Sequence, residues 1–343
     1  MRKPRSITPR PLGLFASVLA TAALVLPGAL AGAPAAAAGT ASSAPTAHAS
    51  SAYLTGLGDQ SVKMFSSSLW RQLHTRTVRY IAPYDAVAHS YSLSLARRFI
   101  QAAEAQHQQV LVAFYHSEYT PTRLPSAKLY QHDVQKFIRL FPKVKQYQSW
   151  DEANRGNIPH ALASPSAKTA ALYYQALTHV CTGCTMIGLD VLDAAVITPT
   201  LRYISEFKRE VRHLKAAMPR VWGLHNYSDV NRQQSWRTRA LVSALGGEVW
   251  LTETGGLVKF GGAYPNRNGS GLKRSARVLK YVFAVAGSQP RIKRIYIYNW
   301  FGGNSRTRFD AGVMNAKGQP RAGYQVLCRQ LHAAKCNVKL AKN

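Results

Sequence analysis

The chain has 343 residues, with 44 Lys and Arg against 15 Asp and Glu, for a formal charge of +29. So basic a chain attracts polyanions such as acidic polysaccharide, wall teichoic acid or nucleic acid, but charge alone selects no substrate. Some 290 residues, about one large domain's worth, follow an N-terminal leader, which argues against two small domains. No later apolar stretch is long enough to span a bilayer.

At the N-terminus, Arg2, Lys3, Arg5 and Arg10 precede the apolar run LGLFASVLATAALVLPGALAG, and Ala36 and Ala38 stand as small residues before a cleavage point. Residues 1–38 therefore read as an export signal, and the Pro27–Gly28 interruption argues against a retained anchor. Residues 39–52, GTASSAPTAHASSA, read as a flexible linker. Residues 53–343 are expected to form the functional domain of a secreted protein, with no membrane span once the signal is removed.

From residue 53 onward, short apolar runs alternate with amphipathic stretches. The predicted strands are AYLTGLG, TVRYIAP, QVLVAFYH, KQYQSW, TMIGLDVL, RVWGLHNY, EVWLTETG and RIYIYNWF. The predicted helices are SSLWRQLH, LSLARRFIQAAEAQ, AKLYQHDVQKFIRLF, AKTAALYYQALTHV, LRYISEFKREVRHLKAA, SWRTRALVSAL, GLKRSARVLKYVFAVAG and RAGYQVLCRQLHAA. Leu201, Ile204, Phe207, Val211 and Leu214 show the helical spacing, and the strands are apolar almost throughout, as in buried parallel sheets. Eight strand–helix units predict an α/β fold, a single-domain (β/α)8 TIM barrel. The competing doubly wound sheet lacks a Gly-rich dinucleotide loop after the first strand.

A barrel places its active site at the C-terminal ends of its strands, and this sorts the acids. Glu104, Asp133, Glu206 and Glu210 fall in helices and read as solvated faces; Glu248 precedes strand seven. Asp59, Asp85, Asp151, Glu152, Asp190, Asp193, Asp229 and Glu253 fall at strand ends, with Glu118 in the loop after strand three. Glu152 in QSWDEAN and Glu253 in VWLTETGG end strands four and seven. Two carboxyls facing each other across a barrel mouth are what glycosidic cleavage requires, one to protonate the leaving oxygen and one to attack the anomeric carbon or activate water.

WDEAN resembles the Trp-Asn-Glu-Pro-Asn signature that ends strand four in clan A glycoside hydrolases, and LTETG resembles their strand-seven ending. LHNY resembles their His-x-Tyr on strand six, IYNWF their platform-Trp segment, and FDAGVMNAKGQPRAGYQVL their closing stretch. The likeness covers essentially the whole chain after the leader. It implies a retaining mechanism with Glu152 as acid/base and Glu253 as nucleophile, Tyr227 hydrogen-bonded to that nucleophile, and Arg79 beside it as a counter-charge. Trp300 is implied as a stacking face for a sugar ring, and His225 as a lining residue of the sugar site. The implied substrate is a β-linked polysaccharide or cell-wall glycan. The chain departs from the signature at Asp151, where the clan carries Asn. An ionised Asp can only accept a hydrogen bond, so the usual donation to a sugar hydroxyl changes, and a negative neighbour favours the protonated form of Glu152 that a proton donor needs. The other reading pairs Asp151 with Arg155.

His116, with Glu118 at the end of strand three, is a candidate lining residue; without a third ligand the pair predicts no metal. No cofactor motif is present, and no Gly-x-Ser-x-Gly elbow supports acyl transfer. No nucleic-acid-binding motif is visible, so the expected electrostatic partner is an anionic wall polymer. The four cysteines form two close pairs, Cys181 with Cys184 and Cys328 with Cys336. An exported chain favours two local disulfides, although CTGC also has zinc-ligand spacing.

Overall fold

The computed structural model describes residues 53–156, 162–304 and 306–341. The predicted signal (1–38) and linker (39–52) lie outside the described residues.

Eight strands close into one all-parallel barrel: β1 (Leu54–Gly58), β2 (Thr77–Pro83), β3 (Gln109–Tyr115), β4 (Gln146–Gln148), β5 (Thr185–Leu192), β6 (Val221–His225), β7 (Glu248–Thr254) and β8 (Ile292–Tyr298). The main helix after each strand is, in turn, α1 (Ser68–Arg71), α2 (Ser90–Ala105), α3 (Ala127–Leu140), α4 (Ala167–Val180), α5 (Thr198–His213), α6 (Trp236–Leu245), α7 (Ser270–Gly287) and α8 (Ala322–Gln330), with a one-turn helix, Tyr227–Val230, between β6 and α6. β1 pairs with β8 through the register Gly56↔Tyr296 and Gly58↔Tyr298, which closes the ring. A two-stranded antiparallel ribbon, Lys259–Phe260 against Phe309–Asp310, ties the loops after β7 and β8 together. The predicted (β/α)8 barrel is the observed fold.

The apolar faces of the strands turn outward, against the helices. Val78, Tyr80, Val110, Val112, Leu189 and Val249 join Phe99, Phe137, Ile204 and Phe207 from the helices in one large core. Inside the barrel a smaller cluster, Leu111, Ile187, Val221, Trp250 and Tyr296, fills the middle. Polar side chains bracket it. Below, Arg294 donates to Gln146 at 2.9 Å and lies over the Trp250 ring at 4.1 Å. Above lie Arg79, Gln148, Asp190, His225 and Glu253, all buried. β2 is two-sided in chemistry, though wholly buried: Thr77 and Arg79 alternate with Val78 and Tyr80.

Two disulfides clip the periphery, Cys181–Cys184 between α4 and β5 and Cys328–Cys336 from α8 to the C-terminal segment. No described helix is long and apolar enough to cross a membrane. All fifteen acids lie among the described residues and none is exposed; ten are buried. Asp133, read from sequence as a solvated helix residue, is one of the ten: it lies on the inward face of α3 with Tyr130, Val134 and Phe137.

Candidate active site

The end of β4 is anchored by Trp150, whose indole packs face to face on Tyr173 of α4 at 5.2 Å, with Tyr84 at 6.4 Å. Past that anchor the backbone leaves the strand in a turn, and Asp151 N–H donates to Phe114 O of β3 at 2.9 Å. Glu152 sits at φ +46°, a left-handed conformation that costs a non-glycine residue on the order of 1–3 kcal/mol. The turn is held by its neighbour strand: Glu152 N–H donates to Asp190 Oδ2 at 3.1 Å, and Ala153 N–H to Asp190 O at 3.0 Å. Gly223 of β6 makes the space for Asp190, because a Cβ there would lie 2.0 Å from Asp190 Oδ1.

Around this turn the strand ends form one connected network. Arg79 of β2 donates through Nη1 to Glu253 Oε2 at 3.0 Å and through Nη2 to Asp151 Oδ1, which also accepts from Gln148 Nε2 at 3.1 Å. Tyr227 donates its hydroxyl to Glu253 Oε1 at 3.2 Å. His225 at the end of β6 meets Glu152 Oε1 through Nδ1 at 3.1 Å and Asp190 Oδ2 through Nε2 at 3.0 Å. Thr252 of β7 donates to Asp190 Oδ1. Arg155 Nε lies 3.9 Å from Glu152 Oε2, and its Nη1 donates to Tyr115 OH at 2.7 Å. Ligand-type atoms of Asp151, His225 and Glu253 fall within 4.8 Å of one another, the spread of a metal triad. The cation that two of them already share is the Arg79 guanidinium.

Burial governs the electrostatics. Glu152 is 2% exposed and Glu253 0%, so the network is closed to solvent, in contrast to the open cleft that a bound saccharide needs. Desolvation pushes the Glu253 carboxyl up to about 7, against the opposing pull of His225 and Arg79. Burial likewise raises Asp151 despite Arg79 and His225. Burial also pushes the His225 ring toward its neutral form, but Asp190 and Glu253 outweigh it and carry the imidazole well above its ordinary value. Asp190 is the counterpart: burial raises it, yet His225, Arg79 and the Thr252 hydroxyl together hold it below the usual carboxylate range. The imidazolium is therefore ion-paired with Asp190 and hydrogen-bonded to Glu152.

Of the residues singled out from sequence, Arg79, Asp151, Glu152, His225, Tyr227 and Glu253 come together in this network. Two do not. Trp300 is 0% exposed and packs edge-on against Phe301 and Tyr324 in the outer core, because the chain has turned away from the mouth after β8 ends at Tyr298. His116 is buried beneath the rim, its Nδ1 2.8 Å from Ser117 O and its ring beside Tyr115. Asp151 pairs with Arg79, and Arg155 turns instead to Tyr115 and Glu152. Sequence reading passed over Asp190, Thr252 and Tyr298. Tyr298 is 3% exposed and close enough to Glu253 that, after burial, this carboxylate does most to raise its phenol. Asp190 was visible as an acid ending a strand, but no motif marked it.

No protein-family model matches the chain and no curated protein matches its sequence. Solved structures do match. Xylanase 10B from Thermotoga maritima superposes with a TM-score of 0.58 at 13% identity, covering 82% of this chain and 97% of that one. Two fungal β-1,4-galactanases share the fold at a TM-score of 0.58 and 10% identity, over 80% of this chain and 99% of theirs. A family 39 glycoside hydrolase from Bacteroides cellulosilyticus matches at 0.53 and 13% identity; 82% of this chain corresponds to 64% of that longer one. Likeness at such low identity establishes the fold, an eight-stranded parallel barrel of the kind these glycosidases use.

Proposed function

We propose that the chain is a secreted retaining glycoside hydrolase that cleaves a β-linked polysaccharide or cell-wall glycan by double displacement. The observation that carries this reading is the setting of Glu253: a carboxylate at the end of β7, oriented by Tyr227 and Arg79, with Glu152 of β4 joined to the same network through His225. In the first step Glu253 attacks the anomeric carbon while Glu152 gives its proton to the departing glycosidic oxygen. In the second, Glu152 takes a proton from water, which releases the sugar from Glu253. Arg79 and Tyr227 hold the nucleophile in line. His225, fixed by Asp190, orients Glu152. Asp151 is an acceptor where an amide would donate, so a sugar hydroxyl near it must act as the donor. A saccharide reaches the pair only when the mouth opens, since both carboxylates are buried in this structure.

Export rests on the leader sequence, and two disulfides suit an oxidising compartment. The absence of any exposed carboxylate, with Lys63, Arg97, Lys136, Arg212, Lys280 and Arg329 exposed around the ring, supports association with anionic wall polymers. The test of catalysis is turnover on a polysaccharide panel by the parent, Glu253→Ala and Glu152→Ala. Undiminished turnover in both variants rejects the assignment.

A second reading is a non-catalytic barrel that binds carbohydrate or anionic polymer. The closed, mutually paired carboxylates and the Asp151 departure favour it. It predicts binding to wall material with no release of reducing sugar by the parent protein.

A further inference from the structure

A second group of polar and aromatic residues stands at the rim between the ends of β2 and β3, outside the network around Glu253. Its exposed member is Tyr119, 48% exposed in the loop after β3. Single exposed aromatics are ordinary on protein surfaces, but this one is held in place. One face of its ring stacks on the His89 imidazole, with centroids 3.6 Å apart and planes 18° apart. His89 Nε2 is fixed in turn by Asp85 Oδ2 at 3.2 Å. The backbone N–H groups of Tyr119 and Thr120 both donate to the hydroxyl of the fully buried Ser117, at 3.1 and 3.2 Å. The loop therefore presents a preorganised ring.

Two carboxylates, Asp85 and Glu118, accompany it. Asp85 is 7% exposed, and its Oδ1 is buried with no hydrogen-bond partner in the protein. An unpaired buried acceptor is costly unless a ligand donates to it. Glu118, half-buried, accepts from Ser92 Oγ at 3.1 Å. The group lies in the same sector of the mouth as Glu152, since the neighbouring Tyr115 takes a hydrogen bond from Arg155, which lies beside Glu152.

The geometry points to a second saccharide-binding subsite here, remote from the bond that is cut. A neutral pyranose ring stacks its C–H face on Tyr119, and its hydroxyls donate to Asp85 and Glu118. An aromatic platform fixed in advance loses little entropy on binding, which is the property stacking on a sugar needs. The inference rests on the saccharide reading of the barrel, but it does not need catalysis.

The test is calorimetric titration of cello-, xylo-, manno- and galacto-oligosaccharides of two to six units into the parent, Tyr119→Ala, Tyr119→Phe and Asp85→Asn. Tyr119→Ala is expected to weaken binding of the longer oligosaccharides about fivefold or more while leaving disaccharides unaffected; Tyr119→Phe retains affinity because the ring face remains. In turnover assays KM rises and kcat holds. Equal binding of every length by the parent and Tyr119→Ala overturns the subsite, as does a parent that binds none of the four series. Tyr119-dependent binding without turnover would instead sink the hydrolase and leave the subsite standing.

Discussion

At the mouth of the barrel four carboxylates, Asp151, Glu152, Asp190 and Glu253, share three buried cations, Arg79, Arg155 and His225. On the helical ring outside, exposed lysines and arginines meet few carboxylates, and those half-buried, as where Lys143 faces Glu104 and Arg209 faces Glu210. The same charges obey different physics in the two places. Inside, desolvation is the first cost each ion meets and every ion needs a named partner, so removing one partner strands the others. Outside, water and salt screen each charge, so no single residue matters and only the summed field acts on a partner. The scarce acids are placed where a carboxylate's neighbours can tune it, and the surface is left to long-range attraction.

The sharpest break between the two regions is expected in turnover. Glu253→Ala and Glu152→Ala should each lower kcat by about a thousandfold or more, whereas removing any one ring cation, such as Arg212→Ala, should leave it unchanged; steady-state rates on the active polysaccharide decide this. Next in size is Arg79→Met, which leaves Asp151 and Glu253 buried without their cation and should cost about 3–5 kcal/mol in chemical denaturation. A surface Lys→Met change should fall within about 0.5 kcal/mol of the parent.

The response to pH separates the regions further. Folded-state values are raised for Glu253 and Asp193, each to about 7, for Asp59 to about 6, and for His225 well above its ordinary value. The folded protein then holds more protons than the unfolded chain as pH climbs from the usual carboxylate range to about 7. Stability from the three carboxyls is full at the acid end of that window and is lost as pH rises through it, whereas that from His225 is full below the ordinary imidazole value and is lost only as pH rises beyond it. A melting midpoint a few degrees higher at pH 5 than at pH 7.5 is expected. Activity runs the other way, because Glu253 must be ionised to attack, so kcat/KM should fall as pH drops below about 7. The smallest effect on the site, and the largest on the surface, is that of salt. Between 50 and 200 mM salt, affinity for an anionic wall polymer should fall at least about tenfold, with turnover of a neutral glycan nearly constant. Co-sedimentation across a salt series measures the first.

Much of the barrel was legible because period and burial agree. Thr77–Pro83, Thr185–Leu192 and Ala167–Val180 have the bounds their residue patterns predict. The first helix was not so readable: residues 67–74 were expected, but a 3-10 turn over Val62–Ser66 precedes only Ser68–Arg71, since three consecutive serines favour turns and caps over helix interior. Strand four shrinks to Gln146–Gln148 because Trp150 leaves the sheet to stack on Tyr173. In the site, Glu152 and Glu253 could be found because a strand-end position is written in the sequence. The role of Asp190 could not, since it depends on a glycine two strand positions before His225, on the neighbouring strand. Nor could the burial of Trp300, which follows from where the chain turns after Tyr298 rather than from any local pattern.

Whether Glu253 is the attacking carboxylate is decided by incubating the protein with activated 2-deoxy-2-fluoro-β-glycosides and digesting it for mass spectrometry. One added sugar is expected on the peptide containing Glu253, absent from Glu253→Gln and slow to leave Glu152→Ala. An adduct on a different carboxylate, or none from any sugar of a panel on which the parent turns over substrate, would contradict that role.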